Sequence, residues 1–203
     1  MFKTLIKKMS TIPLFRMLCK NNSYGFISGF PSWTEALKQS KGYDSPIIFE
    51  KVRESAHKVI NGETSFERDS VCFKNPNYNW FIVSSLLWIS TKNNNSLNLL
   101  DYGGSLGSTF YQHRTLLTNI NSIKWNIVEQ TNFVTEGKKN FSDGILFFYE
   151  TLEEGLKAGL SNSVLFSSSI QYLEKPFEIL KRVFDSGIEN IIIHKTPFFI
   201  ENR

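Results

Sequence analysis

The sequence has little cysteine: two residues in 203, Cys19 and Cys72, with no motif spacing between them. That excludes a disulfide framework and fits free thiols in a reducing compartment. Histidine is as scarce, with three copies, and no Cys/His/Asp cluster has ligand spacing, so no metal site is expected. No apolar run approaches the ~20 residues a membrane span needs. The first 34 residues carry no acid but five cations, Lys3, Lys7, Lys8, Arg16 and Lys20. They lack the unbroken apolar stretch and small-residue cleavage site of a signal peptide, and a cytoplasmic protein is expected. There is no internal repeat and no low-complexity tract. The net charge of +4 is too small and too dispersed to argue for a nucleic-acid partner. What is plentiful is phenylalanine, at 18 copies, which supplies buried area in a chain long enough for one good core.

The chain divides by pattern. In residues 1–24, Phe2, Leu5, Ile6 and Met9 recur at helical spacing between lysines, and Pro13 interrupts. A basic amphipathic stretch of this kind either lies on an anionic membrane surface, here through residues 1–20 at the inner face, or packs on its own domain or a partner. Residues 25–92 read as a helical cap with little strand signal. Residues 21–31 form a loop. Ser32-x-x-Glu35 is a capping box opening a short helix to Gly42. Pro46 starts a second helix that Asn61-Gly62 ends, and a third spans Trp80 to Ser90.

After the turn Asn93-Asn94-Asn95 the pattern alternates. Strands are expected at 97–100, 125–128, 145–149, 164–166 and 190–193. Helices are expected at 109–120, 132–141, 151–160 and 176–185, the third opened by a capping box at Thr151-x-x-Glu154. Strands apolar throughout are buried on both faces. Their alternation with helices predicts an α/β, Rossmann-like, doubly wound and mainly parallel sheet over residues 93–203.

The chemistry-bearing segment is Leu97-Asn98-Leu99-Leu100-Asp101-Tyr102-Gly103-Gly104-Ser105-Leu106-Gly107. A strand ends in an acid, and a glycine turn leads into a helix. Gly103 and Gly104 permit a sharp turn and close approach of a ligand, and Gly107 lets the helix sit close to the strand. Dinucleotide enzymes place a pyrophosphate at such a helix start. Asp101, two residues before Gly103, would repel it. S-adenosylmethionine carries an ammonium and a sulfonium instead, and a carboxylate suits both. Glu129 ends the next strand, 28 residues on, where a carboxylate can accept from both ribose hydroxyls; that feature alone fits either ligand.

These residues resemble the cofactor-binding half of class I S-adenosylmethionine-dependent methyltransferases. Within that class the chain resembles a bacterial family assigned as methyltransferases and associated with surface-polysaccharide synthesis. The matching stretches are Ser32 to Leu37, Gly42-Tyr43-Asp44, Glu67 to Ser70, Leu100 to Ser108, Trp125 to Gln130 and Ser168 to Pro176, over about residues 25–200. The resemblance implies that Asp101, Gly103, Gly104, Ser105, Gly107 and Glu129 bind the cofactor. It also implies that Ser167, Ser168 and Gln171 line its methionine end or the acceptor site, with a small molecule or glycan precursor as acceptor. Two departures stand out. Ser105 replaces the middle glycine of the usual turn. The antiparallel strands that normally follow the fifth strand are absent before Arg203, which leaves Ile191, Ile192 and Ile193 as an apolar edge for another copy or a partner chain to cover.

Asp69 and His194 are the candidate general bases, each with a structural alternative: a charged turn for Asp69, a strand-end histidine for His194. Arg68 can bind an anionic acceptor, and Tyr172 can touch it. His57 and His113 receive no role. Besides the methyltransferase, a non-catalytic scaffold of the same fold and an NAD-type oxidoreductase stay open.

Overall fold

The computed structural model describes residues 29–39, 45–159 and 161–197. The basic N-terminal stretch 1–24, Cys19 and Gly42-Tyr43-Asp44 lie outside the described residues. Helix α1 (Trp33–Gln39) belongs to a compact unit separate from the elements that follow. Its start matches half of the expected capping box. The Glu35 amide donates to Ser32 Oγ at 3.2 Å, but the Glu35 carboxylate turns to Lys38 at 2.7 Å.

The second unit begins with α2 (Pro46–Ile60), with Pro46 in its first turn. A hairpin follows, β1 (Phe66–Arg68) and β2 (Val71–Phe73), in a region expected to be helical with little strand signal. Asp69 and Ser70 connect the strands with φ of 51° and 67°, the two positive angles of a type I′ turn. Three-residue strands are too short to show a period of two in sequence. Helix α3 (Trp80–Lys92) is capped by Asn79, whose side chain accepts from the Ile82 amide.

Then come β3 (Ser96–Tyr102), α4 (Ser108–His113), β4 (Ser122–Val128), α5 (Thr131–Asn140), β5 (Leu146–Tyr149), α6 (Leu152–Lys157), β6 (Ser163–Ser167), α7 (Pro176–Asp185) and β7 (Asn190–His194). Helix α4 is half its expected length, and the chain tightens into a 3₁₀ turn at Arg114–Leu116. Thr115, Thr118 and Asn119 are weak helix formers. Helix α6 also ends early, at Lys157, although Thr151 caps it as expected through the Glu154 amide.

The five long strands form one parallel sheet in the order β5-β4-β3-β6-β7. One face carries α2, α3, α4 and α5: Val52, Leu86, Phe110 and Phe133 pack with Leu99, Trp125 and Ile192. The other carries α6 and α7: Leu152 and Val183 pack with Leu100, Val164 and Phe166. The sheet is therefore doubly wound, and α2 and α3 share its core. β7 pairs only with β6 among the described residues. Of the three edge isoleucines only Ile191 is exposed; Ile192 is buried and Ile193 packs against the second face. No helix among the described residues is long and apolar enough to cross a membrane.

Packing is tight where α5 crosses β5. A Cβ built on Gly137 falls 2.4 Å from the ring of the buried Phe148. Alanine favours a helix over glycine by up to ~1 kcal/mol, yet Gly137→Ala is expected to destabilise the protein by about 1–3 kcal/mol because the ring must shift in a full core. Urea denaturation decides; a gain in stability would show the α5–β5 contact looser than described.

Candidate functional site

In sheet order the chain runs outward from β3 to β4 and β5, then returns to the other side of β3 with β6. The strand order reverses between β3 and β6, and in open α/β sheets ligands bind at that point, beyond the carboxyl ends of the strands. The glycine turn leaves β3 there, and Ser167-Ser168-Ser169 leaves β6. The two segments touch: a Cβ on Gly103 would lie 2.7 Å from the Cβ of Ser169. Gly103 and Gly107 have φ of 76° and 91°, which explains glycine at both. Ser105, at the site of the missing glycine, also has a left-handed φ of 56°, a conformation that side chains adopt at a cost.

Three carboxylates surround this turn. Asp101 is 1% exposed; its Oδ2 accepts from the Trp125 indole at 2.9 Å, while Oδ1 is buried with no partner. The turn lies directly on it, since a Cβ on Gly104 would meet the carboxyl at 2.7 Å. Burial pushes Asp101 up to about 7, the Trp125 bond opposes this, and Glu129 adds to it. Glu129 accepts from the amides of Ser105 at 3.3 Å and Gln130 at 2.9 Å, and burial raises its carboxyl too. Glu67, in β1, accepts from the Ser108 hydroxyl at the start of α4 and from the Ser70 amide at 3.2 Å. It is 3% exposed and raised chiefly by burial.

Three of the turn's amides are committed. Gly103 N–H donates to Val128, Gly107 N–H to Gly104, and Ser105 N–H to Glu129. They do not converge on an anion.

The other expected residues cluster at the ends of β6 and β7. Ser167 and His194 are register partners, with Ser167 Oγ 3.0 Å from His194 Nδ1. His194 Nε2 lies 2.8 Å from Asn79 Nδ2. The Asn79 amide orientation is set by the cap, because Oδ1 accepts from Ile82 at 3.2 Å. Nδ2 therefore donates to Nε2, and the ring proton sits on Nδ1. Burial first, then Lys195 and Arg68, keep His194 below the usual histidine value. In this arrangement its basic lone pair is occupied. His113 is held the same way: the Asn79 backbone amide donates to Nε2 at 3.0 Å, and Nδ1 lies 2.7 Å from the Thr109 carbonyl. Asp69 sits exposed in the hairpin turn. Gln171 links the two loops, donating to Ser168 Oγ and accepting from Thr196, each at 3.2 Å. Tyr172 is 54% exposed in the same loop.

The sequence reading gave Glu67 no role and did not single out Asn79 or Ser169. A signal existed for Asn79, an N-cap residue type directly before an apolar helix. Glu67 lies in one of the resembling stretches, but nothing local pointed to its contact with Ser108, which spans 41 residues. Two clefts, about 450 Å³ and 280 Å³, lie at the opposite, amino end of the strands around Asn93 and Asn162. They are polar grooves remote from the glycine turn, and the chemistry of the turn outweighs their size. No family model and no curated protein matches the chain.

Proposed function

We propose that the protein is an S-adenosylmethionine-dependent methyltransferase, with Asp101, Gly103, Gly104, Ser105, Gly107 and Glu129 forming the cofactor site. The observation that carries this reading is three buried or half-buried carboxylates, Glu67, Asp101 and Glu129, around a glycine turn. Such a site suits a cation and disfavours a pyrophosphate, which the carboxylates would repel. The unpartnered Oδ1 of Asp101 and Oγ of Ser169 are the orphaned polar atoms of this region, and an ammonium supplies the donors they lack. Glu129, fixed by two backbone amides, keeps lone pairs for ribose hydroxyls. The bound cofactor would supply an activated methyl group; the chain supplies binding and orientation. A sugar or glycan precursor is the acceptor that the resemblance suggests, in the cytoplasm or peripherally at the inner membrane face.

Isothermal titration with S-adenosylmethionine, S-adenosylhomocysteine and NADH tests the reading. Micromolar binding of the first two is expected. Glu129→Ala should weaken it about 30-fold, as for loss of hydrogen bonds to a charged group. Binding of NADH alone would overturn the proposal in favour of the oxidoreductase. The occupied lone pair of His194 favours one further reading, a non-catalytic scaffold that pairs with another chain. Cofactor binding without turnover on any acceptor, in the presence of a co-purifying partner, would support it.

A further inference from the structure

Two hydrogen-bond chains end side by side at the carboxyl edge of β6 and β7. In the first, the Ile82 amide fixes Asn79, Asn79 Nδ2 donates to His194 Nε2, and His194 Nδ1–H donates to Ser167 Oγ. The hydroxyl proton of Ser167 is thereby left to donate elsewhere. In the second, Thr196 donates to Gln171 and Gln171 donates to Ser168 Oγ, which leaves the Ser168 proton free as well. The two serines are consecutive. Ser168 bonds through its backbone amide to the His194 carbonyl at 2.8 Å, so it lies beside Lys195. Ser168 and Lys195 are both left-handed, with φ of 61° and 52°. Non-glycine residues held in that region cluster where structure is constrained for function.

Two cations complete the set. Among the described residues Lys195 is exposed and in no ion pair, and the Arg68 guanidinium lies 5.8 Å from the centroid of the Phe66 ring. The charge of Arg68 is felt at His113, His194 and Lys195. The acids nearby are Asp69, at the hairpin tip, and the buried Glu67 beside Arg68. The edge therefore offers four donor groups, the hydroxyls of Ser167 and Ser168 and the cations Lys195 and Arg68, near a histidine that burial holds below its usual value.

We infer that Ser167, Ser168, Lys195 and Arg68 form an anion site that holds a phosphate group of the acceptor. Four donor groups exceed what a carboxylate's two oxygens need and match the three free oxygens of a phosphate ester. Calling the ligand an acceptor rests on the methyltransferase reading; the anion site itself does not.

The test is titration of the isotopically labelled chain with inorganic phosphate, without cofactor, followed by amide chemical shifts. Shifts at Ser167, Ser168 and Lys195 are expected. Lys195→Ala and Arg68→Ala should each weaken binding about tenfold, with Arg68→Lys recovering part of it. Lys124→Ala, at the other end of the sheet, should change nothing. Vesicles containing phosphatidic acid form a second arm. Lys195-dependent binding to them would assign a lipid-borne phosphate, and binding of free phosphate alone a soluble ester. Absent shifts at the two serines, or affinity indifferent to both Lys195→Ala and Arg68→Ala, would overturn the site. Phosphate binding by a chain that fails to bind S-adenosylmethionine would keep the site and remove only its role as acceptor.

Discussion

Replacing Asp101 by asparagine is expected to stabilise the protein and weaken cofactor binding together. The carboxyl is buried with one oxygen unpaired. Its value moves from 3.8 in the unfolded chain to about 7 in the folded one, a difference worth on the order of 4 kcal/mol. The sign follows from proton binding. Between about 7 and 3.8 the folded state holds a proton that the unfolded state has released, so this group's contribution is complete below 3.8 and is lost as pH rises through about 7. Above that pH the fold carries an ionised, buried carboxylate. Asparagine removes the charge and keeps an acceptor for the Trp125 indole. At pH 8 the variant should unfold about 5–10 °C higher than wild type, and the advantage should vanish near pH 4. Its affinity for S-adenosylmethionine should fall by at least about 30-fold, since the charge paired with the ammonium is gone. A site that is costly to the fold because its charge awaits a ligand is the expected trade between stability and function. Calorimetry at both pH values, with titration of the cofactor, reads every part. A variant less stable than wild type at pH 8 would mean that the carboxylate is already satisfied and the electrostatic argument fails.

Asn79→Ala should have the opposite effect, a loss of about 2–4 kcal/mol. The side chain caps α3 and donates to His194. Removing a cap costs ~1 kcal/mol, and leaving the half-buried His194 acceptor unpaired costs roughly 1–3. The pH dependence identifies the mechanism. Both histidines lie below the usual value in the folded state, by burial first. Their contribution is therefore full above the unfolded value of 6.5 and is lost as pH falls through the folded values. In the variant His194 has no donor on Nε2 and can protonate there, so the acid-side loss should shrink. Urea denaturation from pH 5 to 8 measures this. An unchanged pH profile would show that Asn79 acts only as a cap.

Much of the fold was legible in local pattern. The five strands, apolar on both faces, and the helices between them announce the parallel sheet, because burial on two sides leaves no room for alternation. The glycine turn and the two strand-end acids were legible because their chemistry lies in residue type and spacing. The hairpin at Phe66–Phe73 was not, since three-residue strands carry no period. The short α4 was missed because weak helix formers extend an apolar pattern without sustaining a helix.

The sequence by itself determined the strands and helices, the glycine turn and the acids at the ends of β3 and β4, all set by neighbours a few residues apart. Only the tertiary structure decided the rest. It brought Glu67 to Ser108 and buried Asp101 beneath Gly104. It turned His194 from an open base into a donor by way of Asn79, 115 residues away. Hydrogen-bond direction and desolvation depend on which distant groups the fold brings within about 3 Å, and no local pattern of residues encodes that.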